Sequence, residues 1–150
     1  MKTVGEKISN IILKNQDELT INISDKLKEY KYVLIAIYPK DDTPGCTVQM
    51  CSIRDDYKLL RENGIFPVGL NHDSSASHKK FVEKYNYQFD ILVDTDRKVI
   101  NDLGATKMFF NNKVTQRSAF LIDSSLTIVW ECKGQQDHKE IINFVKEQIK

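Results

Sequence analysis

Apolar and polar positions along the chain change repeatedly between a two-residue and a helical period, and the changes mark the predicted elements. Two short apolar runs, 8–13 and 19–23, flank the polar turn 14–18 and predict an N-terminal β-hairpin. Later apolar runs are continuous, which is typical of strands buried on both faces. These predicted strands are 32–38, 65–70, 91–93, 117–123 and 127–132, with a turn at 124–125 between the last two.

Helical periodicity fills the stretches between these strands. The longest predicted helix, 44–63, begins at Pro44 and ends at Gly64. Further helices are predicted at 74–85, at 97–103 and from 137 onward. The last one opens at Asp137 with Glu140 three residues later, which is a capping box. Its apolar positions, which are expected to face the core, are Ile141, Val145 and Ile149.

Strands that alternate with helices predict an α/β fold, a central mixed β-sheet with helices on both faces. No repeat, linker or low-complexity stretch interrupts the 150 residues, so we expect one domain covering 1–150. In open α/β sheets, ligands bind where the carboxyl end of a strand leads into a helix. The first such place after the strand 32–38 is the segment 39–46, PKDDTPGC. The fold therefore predicts a site that includes Cys46.

Charge and composition exclude several classes of protein. The 22 basic and 21 acidic residues leave a net charge of +1, which gives no electrostatic case for nucleic acid or an acidic membrane surface. The longest apolar run, 32–38, is too short to span a bilayer, and the N-terminus has no apolar signal region. We therefore expect a soluble cytoplasmic protein. The histidines show no zinc-like spacing with the cysteines, so no metal is expected.

Three cysteines are too few, and odd in number, for the disulfide framework of a secreted protein. Cys132 shares a strand face with Ile128 and Trp130, so we expect it half-buried in the core, although a redox role stays open. In a reducing compartment, thiols that are not buried indicate metal or redox chemistry. The other two cysteines, Cys46 and Cys51, are therefore the candidates for function.

Cys46 is predicted in the first turn of the helix 44–63. Thr43 can cap this helix, and Pro44 suits its first position because that N–H has no partner to lose. Unpaired backbone N–H groups and the helix dipole favour a thiolate at this place. Any further acceleration of a reaction at Cys46 must come from hydrogen-bond donors aimed at the substrate bond that breaks. Candidate donors are the N–H of Cys46, the hydroxyl of Thr43 and a cation from elsewhere in the chain.

Cys51 lies off the apolar stripe of the same helix. The stripe consists of Cys46, Met50, Ile53, Tyr57 and Leu60. Cys51 is predicted on the polar face, together with Thr47, Arg54, Asp55 and Lys58. Five helical residues advance ~7.5 Å and turn ~140°, which places the two cysteine Cα atoms about 8.6 Å apart. Since a disulfide needs roughly 4.4–6.8 Å between Cα atoms, a Cys46–Cys51 bond would require the helix to unwind locally.

The segment YPKDDTPGCTVQMCSIRD, 38–55, closely resembles the active-site segment of peroxiredoxins of the bacterioferritin comigratory protein and PrxQ class. Pro39-x-x-x-Thr43-x-x-Cys46 matches the signature shared by peroxiredoxins, and Cys46-x4-Cys51 matches the resolving cysteine of this class. Further similar segments are SHKKFVEKY at 77–85, RSAFLID at 117–123 and KG…HKEII at 133–142. The similarity thus covers nearly all of the chain.

This resemblance implies a thioredoxin-like fold with an N-terminal β-hairpin extension and no cofactor or metal. Cys46 would reduce hydrogen peroxide or an organic hydroperoxide and become a sulfenic acid, which Cys51 would resolve as an intramolecular disulfide. Thr43 would hydrogen-bond the substrate, Pro39 would shield the pocket, and Arg117 would be the cation beside the thiolate. Family members are usually monomers, sometimes dimers, and are reduced by thioredoxin or similar dithiol proteins.

Some features depart from the family, and two other functions stay open. Gln49 stands where the family often has glutamate, and the segment 105–116 looks shorter than in many relatives. Within that segment, Met108, Phe109 and Phe110 could form an apolar rim for lipid hydroperoxides, pack in the core or make a small contact surface. A thioredoxin-like dithiol oxidoreductase is one alternative, although that chemistry uses Cys-x-x-Cys. A non-catalytic redox sensor that uses the same disulfide is the other.

Overall fold

The computed structural model describes residues 1–149. The strands are β1 (Ile12–Lys14), β2 (Thr20–Asn22), β3 (Tyr32–Ile37), β4 (Ile65–Asn71), β5 (Asp90–Val93), β6 (Thr106–Phe109), β7 (Asn112–Thr115), β8 (Ser118–Asp123) and β9 (Ile128–Lys133). The helices are α1 (Ile23–Glu29), α2 (Pro44–Asp55), α3 (Tyr57–Glu62), α4 (Ser75–Tyr85), α5 (Lys98–Asp102) and α6 (His138–Glu147). Within residues 1–149, no helix is both long enough and apolar enough to cross a membrane.

The central sheet is mixed and has five strands in the order β5-β4-β3-β8-β9. β3, β4 and β5 run parallel, whereas β8 is antiparallel to both β3 and β9. β1 and β2 form a separate antiparallel hairpin near the N-terminus. The predicted α/β class, the mixed sheet and the N-terminal hairpin extension are therefore confirmed.

Alternate residues of β3 enter two different cores. Leu34 and Ala36 pack on the face that carries α2, α3, α4 and α6. Val33, Ile35 and Ile37 pack on the opposite face, against α1 and α5. All five side chains are fully buried, as expected for a central strand covered on both sides. The carboxyl end of β3 therefore emerges between two covered layers and leads into α2.

The predicted helix 44–63 is interrupted at Asp56, which separates α2 from α3. The backbone of Asp56 has φ −100° and ψ 10°, outside the helical region. Its N–H still donates to Ser52, and its carbonyl accepts from Leu60, so the two helices remain connected by hydrogen bonds. At the C-terminus, Ile149 is 69% exposed, so its predicted place in the core stripe of the last helix is wrong.

The sequence patterns did not predict helix α1 or the β6–β7 hairpin. In α1, Asn22 caps the helix by accepting from the N–H of Ser24, and the pattern there had suggested only the end of a strand. The segment 105–116 contains the β6–β7 hairpin, whose turn places Phe110 at φ 48° and Asn111 at φ 64°. Since phenylalanine rarely adopts a positive φ, the usual turn signals were missing at this position.

Candidate active site

Cys46 lies in the first turn of α2 and is 1% exposed. Pro44 occupies the start of the helix, as predicted. The predicted capping bond is wrong, because the hydroxyl of Thr43 makes no cap and instead donates to the carbonyl of Lys40 at 2.9 Å. The backbone N–H groups of Gly45 and Cys46 are therefore left without a capping side chain. These donors lie at the positive end of the helix dipole.

Arg117 reaches Cys46 from the neighbouring strand. It immediately precedes β8, whose first residue, Ser118, pairs with Ile37 at the end of β3. One guanidinium nitrogen, Nη2, donates to Cys46 Sγ at 3.3 Å. The other, Nη1, donates to Gln49 Oε1 at 2.8 Å. The fork of the guanidinium thus holds the sulfur and one side-chain amide at the same time.

Gly45 leaves the space that this arrangement needs. A Cβ atom at position 45 would lie 3.0 Å from Arg117 Nη2. Even an alanine at this position would therefore crowd the guanidinium, which would have to shift by a few tenths of an ångström. The absence of a side chain at position 45 serves the contact between Arg117 and the sulfur.

Cys51 is half-buried and packs against the core, so its predicted place on the polar face is wrong. Its Sγ lies 3.4 Å from the hydroxyl oxygen of Tyr87, which follows α4. Tyr87 stacks between Tyr85 and Phe89, with Phe81 against its edge. Burial, followed by the bond to Cys51, raises the pKa of Tyr87, so this hydroxyl stays protonated and can donate to the sulfur.

If Cys51 forms the disulfide that the resemblance implies, replacing Tyr87 with phenylalanine is expected to speed its formation by up to about fivefold, because one hydrogen bond worth about 1 kcal/mol no longer holds Cys51. The measurement is the rate at which Cys51 becomes protected from alkylation after a peroxide pulse. Tyr85→Phe is the matched control, since its hydroxyl bonds to Asp42 instead. A slower rate in Tyr87→Phe would show that the tyrosine assists the reaction.

Cys132 lies on β9, half-buried against the same core as Cys46, as predicted. Its Sγ is 3.8 Å from the carbonyl of Gly134. Burial raises the pKa of Cys132 to about 11. At neutral pH this thiol is therefore almost entirely protonated and is a poor nucleophile.

A buried carboxylate, Asp41, fixes the loop between β3 and α2. It accepts hydrogen bonds from Tyr38, Asn71, Ser77 and His78 at 2.5–3.1 Å. The other ring nitrogen of His78 donates to the carbonyl of residue 92 at 3.0 Å, so both ring nitrogens lie against acceptor oxygens. Burial alone would raise the pKa of Asp41, but the bonds from His78, Tyr38 and Ser77 outweigh it and lower this pKa.

Replacing Asp41 with alanine is expected to destabilise the protein by about 3–5 kcal/mol at neutral pH, because it removes the carboxylate that pairs with the buried His78 and accepts from Tyr38 and Ser77. Chemical denaturation measures this difference, with Asp42→Asn as the control that removes an exposed ion pair with Lys84 and changes little.

The lowered pKa of Asp41 defines the pH range over which this carboxylate contributes to the free energy of unfolding. It is fully present above the ordinary aspartate pKa of ~3.9 and is lost as the pH falls through the lowered value. The difference in the free energy of unfolding between wild type and Asp41→Ala should therefore become smaller below about pH 4. A difference that is unchanged there would contradict this account of the loop.

The five predicted site residues fall into three groups. Cys46, Thr43 and Arg117 surround the start of α2. Pro39 is half-buried in the loop before this helix. Cys51 lies further along the same helix, facing the aromatic cluster instead of the solvent.

Sequence reasoning missed Gln49 and Gln136 as parts of the site. Gln49 binds Arg117, and its amide nitrogen donates to Gln136 Oε1 at 3.1 Å. The spacing of Gln49, three residues after Cys46 on a helix, places both on one face and could have signalled the first contact. No local signal marked Gln136, which lies 87 positions away from Gln49.

Comparison with known proteins finds relatives over most of the chain. The model of the AhpC/TSA family matches residues 4–131. Peroxiredoxin Bcp of Bacillus subtilis (strain 168) is 34% identical over 141 residues, covering 90% of this chain and 88% of that protein. The chloroplastic peroxiredoxin Q of Triticum aestivum is 38% identical over 138 residues, or 91% of this chain, which spans 62% of the length of the wheat protein.

Solved structures share the fold. A cysteine-to-serine mutant of PrxQ from Xylella fastidiosa superposes with a TM-score of 0.90 at 21% identity, covering 100% of this chain and 99% of that one. Peroxidoxin BcpB from Mycobacterium tuberculosis gives a TM-score of 0.88, also at 21% identity, with 98% of both chains covered. The solved structures show a shared fold, and the family model and the sequence relatives show that the chain belongs to the AhpC/TSA family as a peroxiredoxin related to Bcp and PrxQ, a thiol peroxidase.

Proposed function

We propose that this peroxiredoxin reduces hydrogen peroxide and organic hydroperoxides with Cys46 as the attacking thiolate and Cys51 as the resolving thiol. The observation that carries the assignment is the contact between Arg117 Nη2 and Cys46 Sγ at the N-terminus of α2. A guanidinium that donates to the sulfur and the free N–H groups of a helix start both stabilise negative charge at this position.

In the first step, the Cys46 thiolate attacks the terminal oxygen of the hydroperoxide. The S–O bond forms as the O–O bond breaks, and the electron pair leaves with the other oxygen, which takes a proton to become an alcohol or water. Arg117 and the backbone N–H of Cys46 are placed to stabilise that leaving oxygen. Since Thr43 donates its proton to Lys40, its oxygen can accept the O–H of the peroxide. Pro39 shields the pocket from water.

In the second step, Cys51 attacks the sulfur of the Cys46 sulfenic acid, and the oxygen leaves as water as the disulfide forms. Both cysteines lie in the continuous helix α2, so their Cα atoms are about 8.6 Å apart by helix geometry, too far for a disulfide. The first turns of α2 must therefore unwind, and Cys51 must leave Tyr87. These turns lie at the end of α2 that is remote from α3.

In the third step, a thioredoxin or similar dithiol protein reduces the disulfide in the cytoplasm, and the peroxiredoxin works as a monomer or weak dimer. The direct test is NADPH consumption by the protein with thioredoxin and thioredoxin reductase, using hydrogen peroxide and cumene hydroperoxide. We expect turnover with both substrates. Slow peroxide reduction with fast reduction of insulin disulfides would instead indicate a dithiol oxidoreductase.

A further inference from the structure

A line of hydrogen bonds runs from Arg117 into the core, away from Cys46. Arg117 Nη1 donates to Gln49 Oε1 at 2.8 Å, and Gln49 Nε2 donates to Gln136 Oε1 at 3.1 Å. The amide nitrogen of Gln136 lies 3.1 Å from His138 Nε2. We name the residues beyond Arg117 the amide–imidazole chain, which consists of Gln49, Gln136, His138 and Asp56.

The amide–imidazole chain ends at a carboxylate. His138 Nδ1 lies 2.6 Å from Asp56 Oδ2, at the junction between α2 and α3. Gln49, Gln136 and His138 are 0%, 4% and 6% exposed. Side chains this deeply buried cannot exchange a lost partner for bulk water, so each link depends on the next.

The donor and acceptor groups of Arg117 and Asp56, between which the amides and the ring lie, determine the direction of every hydrogen bond. Arg117 can only donate, so Gln49 must present its oxygen to it and its nitrogen to Gln136. Gln136 then accepts with its oxygen and donates with its nitrogen, so His138 Nε2 must accept. The ring proton therefore lies on Nδ1, which donates to Asp56 Oδ2 at 2.6 Å. One orientation of both amides and one tautomer of the ring satisfy all of these contacts.

We propose that Gln136 and His138 are positioning residues that act on Cys46 through Gln49 and Arg117, an inference that rests on the proposed peroxidase function. If Gln136 did not hold Gln49, its amide could turn and present N–H groups to the guanidinium of Arg117. Two donors would then face each other, and Arg117 would turn away from the sulfur. The amide–imidazole chain prevents this by leaving Gln49 one satisfied orientation.

The test removes the link without changing the size of the side chain. Gln136→Met is expected to slow the reaction of Cys46 with hydrogen peroxide about tenfold, measured in competition with a reference peroxidase. The pH profile of Cys46 alkylation, followed by mass spectrometry in the full chain, should move to higher pH. A purely structural role would lower the unfolding temperature without moving this profile.

Two further variants separate positioning from folding. Gln136→Glu keeps an acceptor for Gln49 Nε2, and His138 Nε2 can donate to its second oxygen, so we expect a rate within about threefold of wild type. Asp137→Ala removes the cap of α6, where Asp137 accepts from the N–H of Lys139, and should lower stability with little effect on Cys46.

The proposal is overturned if Gln136→Met leaves both the rate and the alkylation profile of Cys46 unchanged. It is also overturned if Gln136→Glu is as slow as Gln136→Met, because the glutamate still fixes Gln49. Neither result would affect the proposed function, which is tested separately by turnover with hydroperoxides and by the Cys46→Ser variant.

Discussion

Cys46→Ser is expected to abolish thioredoxin-dependent peroxide consumption, with a loss of at least about a thousandfold. A serine hydroxyl fits the same buried space but does not ionise near neutral pH, so no nucleophile remains beside Arg117. Because the side chains are similar in size, we expect no large change in the free energy of unfolding. Coupled NADPH oxidation measures the activity, and circular dichroism checks the fold.

Cys51→Ser is the matched variant for this comparison. It keeps Cys46 and Arg117, so it should consume about one equivalent of peroxide per protein and stop there. The expected product is a Cys46 sulfenic acid, which a dimedone adduct would reveal by mass spectrometry. Full turnover by Cys46→Ser would remove the basis of the assignment.

Arg117→Leu is expected to slow the reaction of Cys46 with peroxide by about 100–1,000-fold, the usual cost of losing a donor that stabilises developing charge. The leucine also leaves Gln49 without its donor. The measurement is the second-order rate constant, obtained by competition with a reference peroxidase at several pH values.

Arg117→Lys tests how much of this effect depends on the fork of the guanidinium. Lysine keeps the charge, but its single ammonium cannot hold the sulfur and the amide of Gln49 in the same geometry. We expect an intermediate rate, clearly above that of Arg117→Leu. If Arg117→Leu stays within about threefold of wild type, Arg117 has no part in the chemistry.

Local sequence was enough to predict the start of the site. Pro44 and the apolar run before it place Cys46 at a helix start after a buried strand, and both features depend only on neighbouring residues. The burial of β3 on both faces likewise follows from its continuous apolar run. Local patterns of this kind specify the helices and strands, and they also identify the carboxyl ends of strands at which sites form.

Long-range contacts could not be obtained in this way. Arg117 lies 71 positions from Cys46, and only the pairing of β8 with β3 brings them together. Cys51 was predicted on a polar face because its helical neighbours are charged, yet Tyr87 from another element covers it. The break at Asp56 is of the same kind, since the bond that its side chain makes with His138 depends on the packing of α6.

The most direct test of the account is peptide mapping of the protein after one equivalent of hydrogen peroxide. Trypsin releases residues 41–54, which contain both Cys46 and Cys51, as one peptide. The account predicts that this peptide becomes lighter by two hydrogen atoms, resists alkylation and appears together with a loss of helical circular dichroism. A link between Cys46 and Cys132, or a Cys46–Cys51 bond formed with no loss of helix, would contradict it.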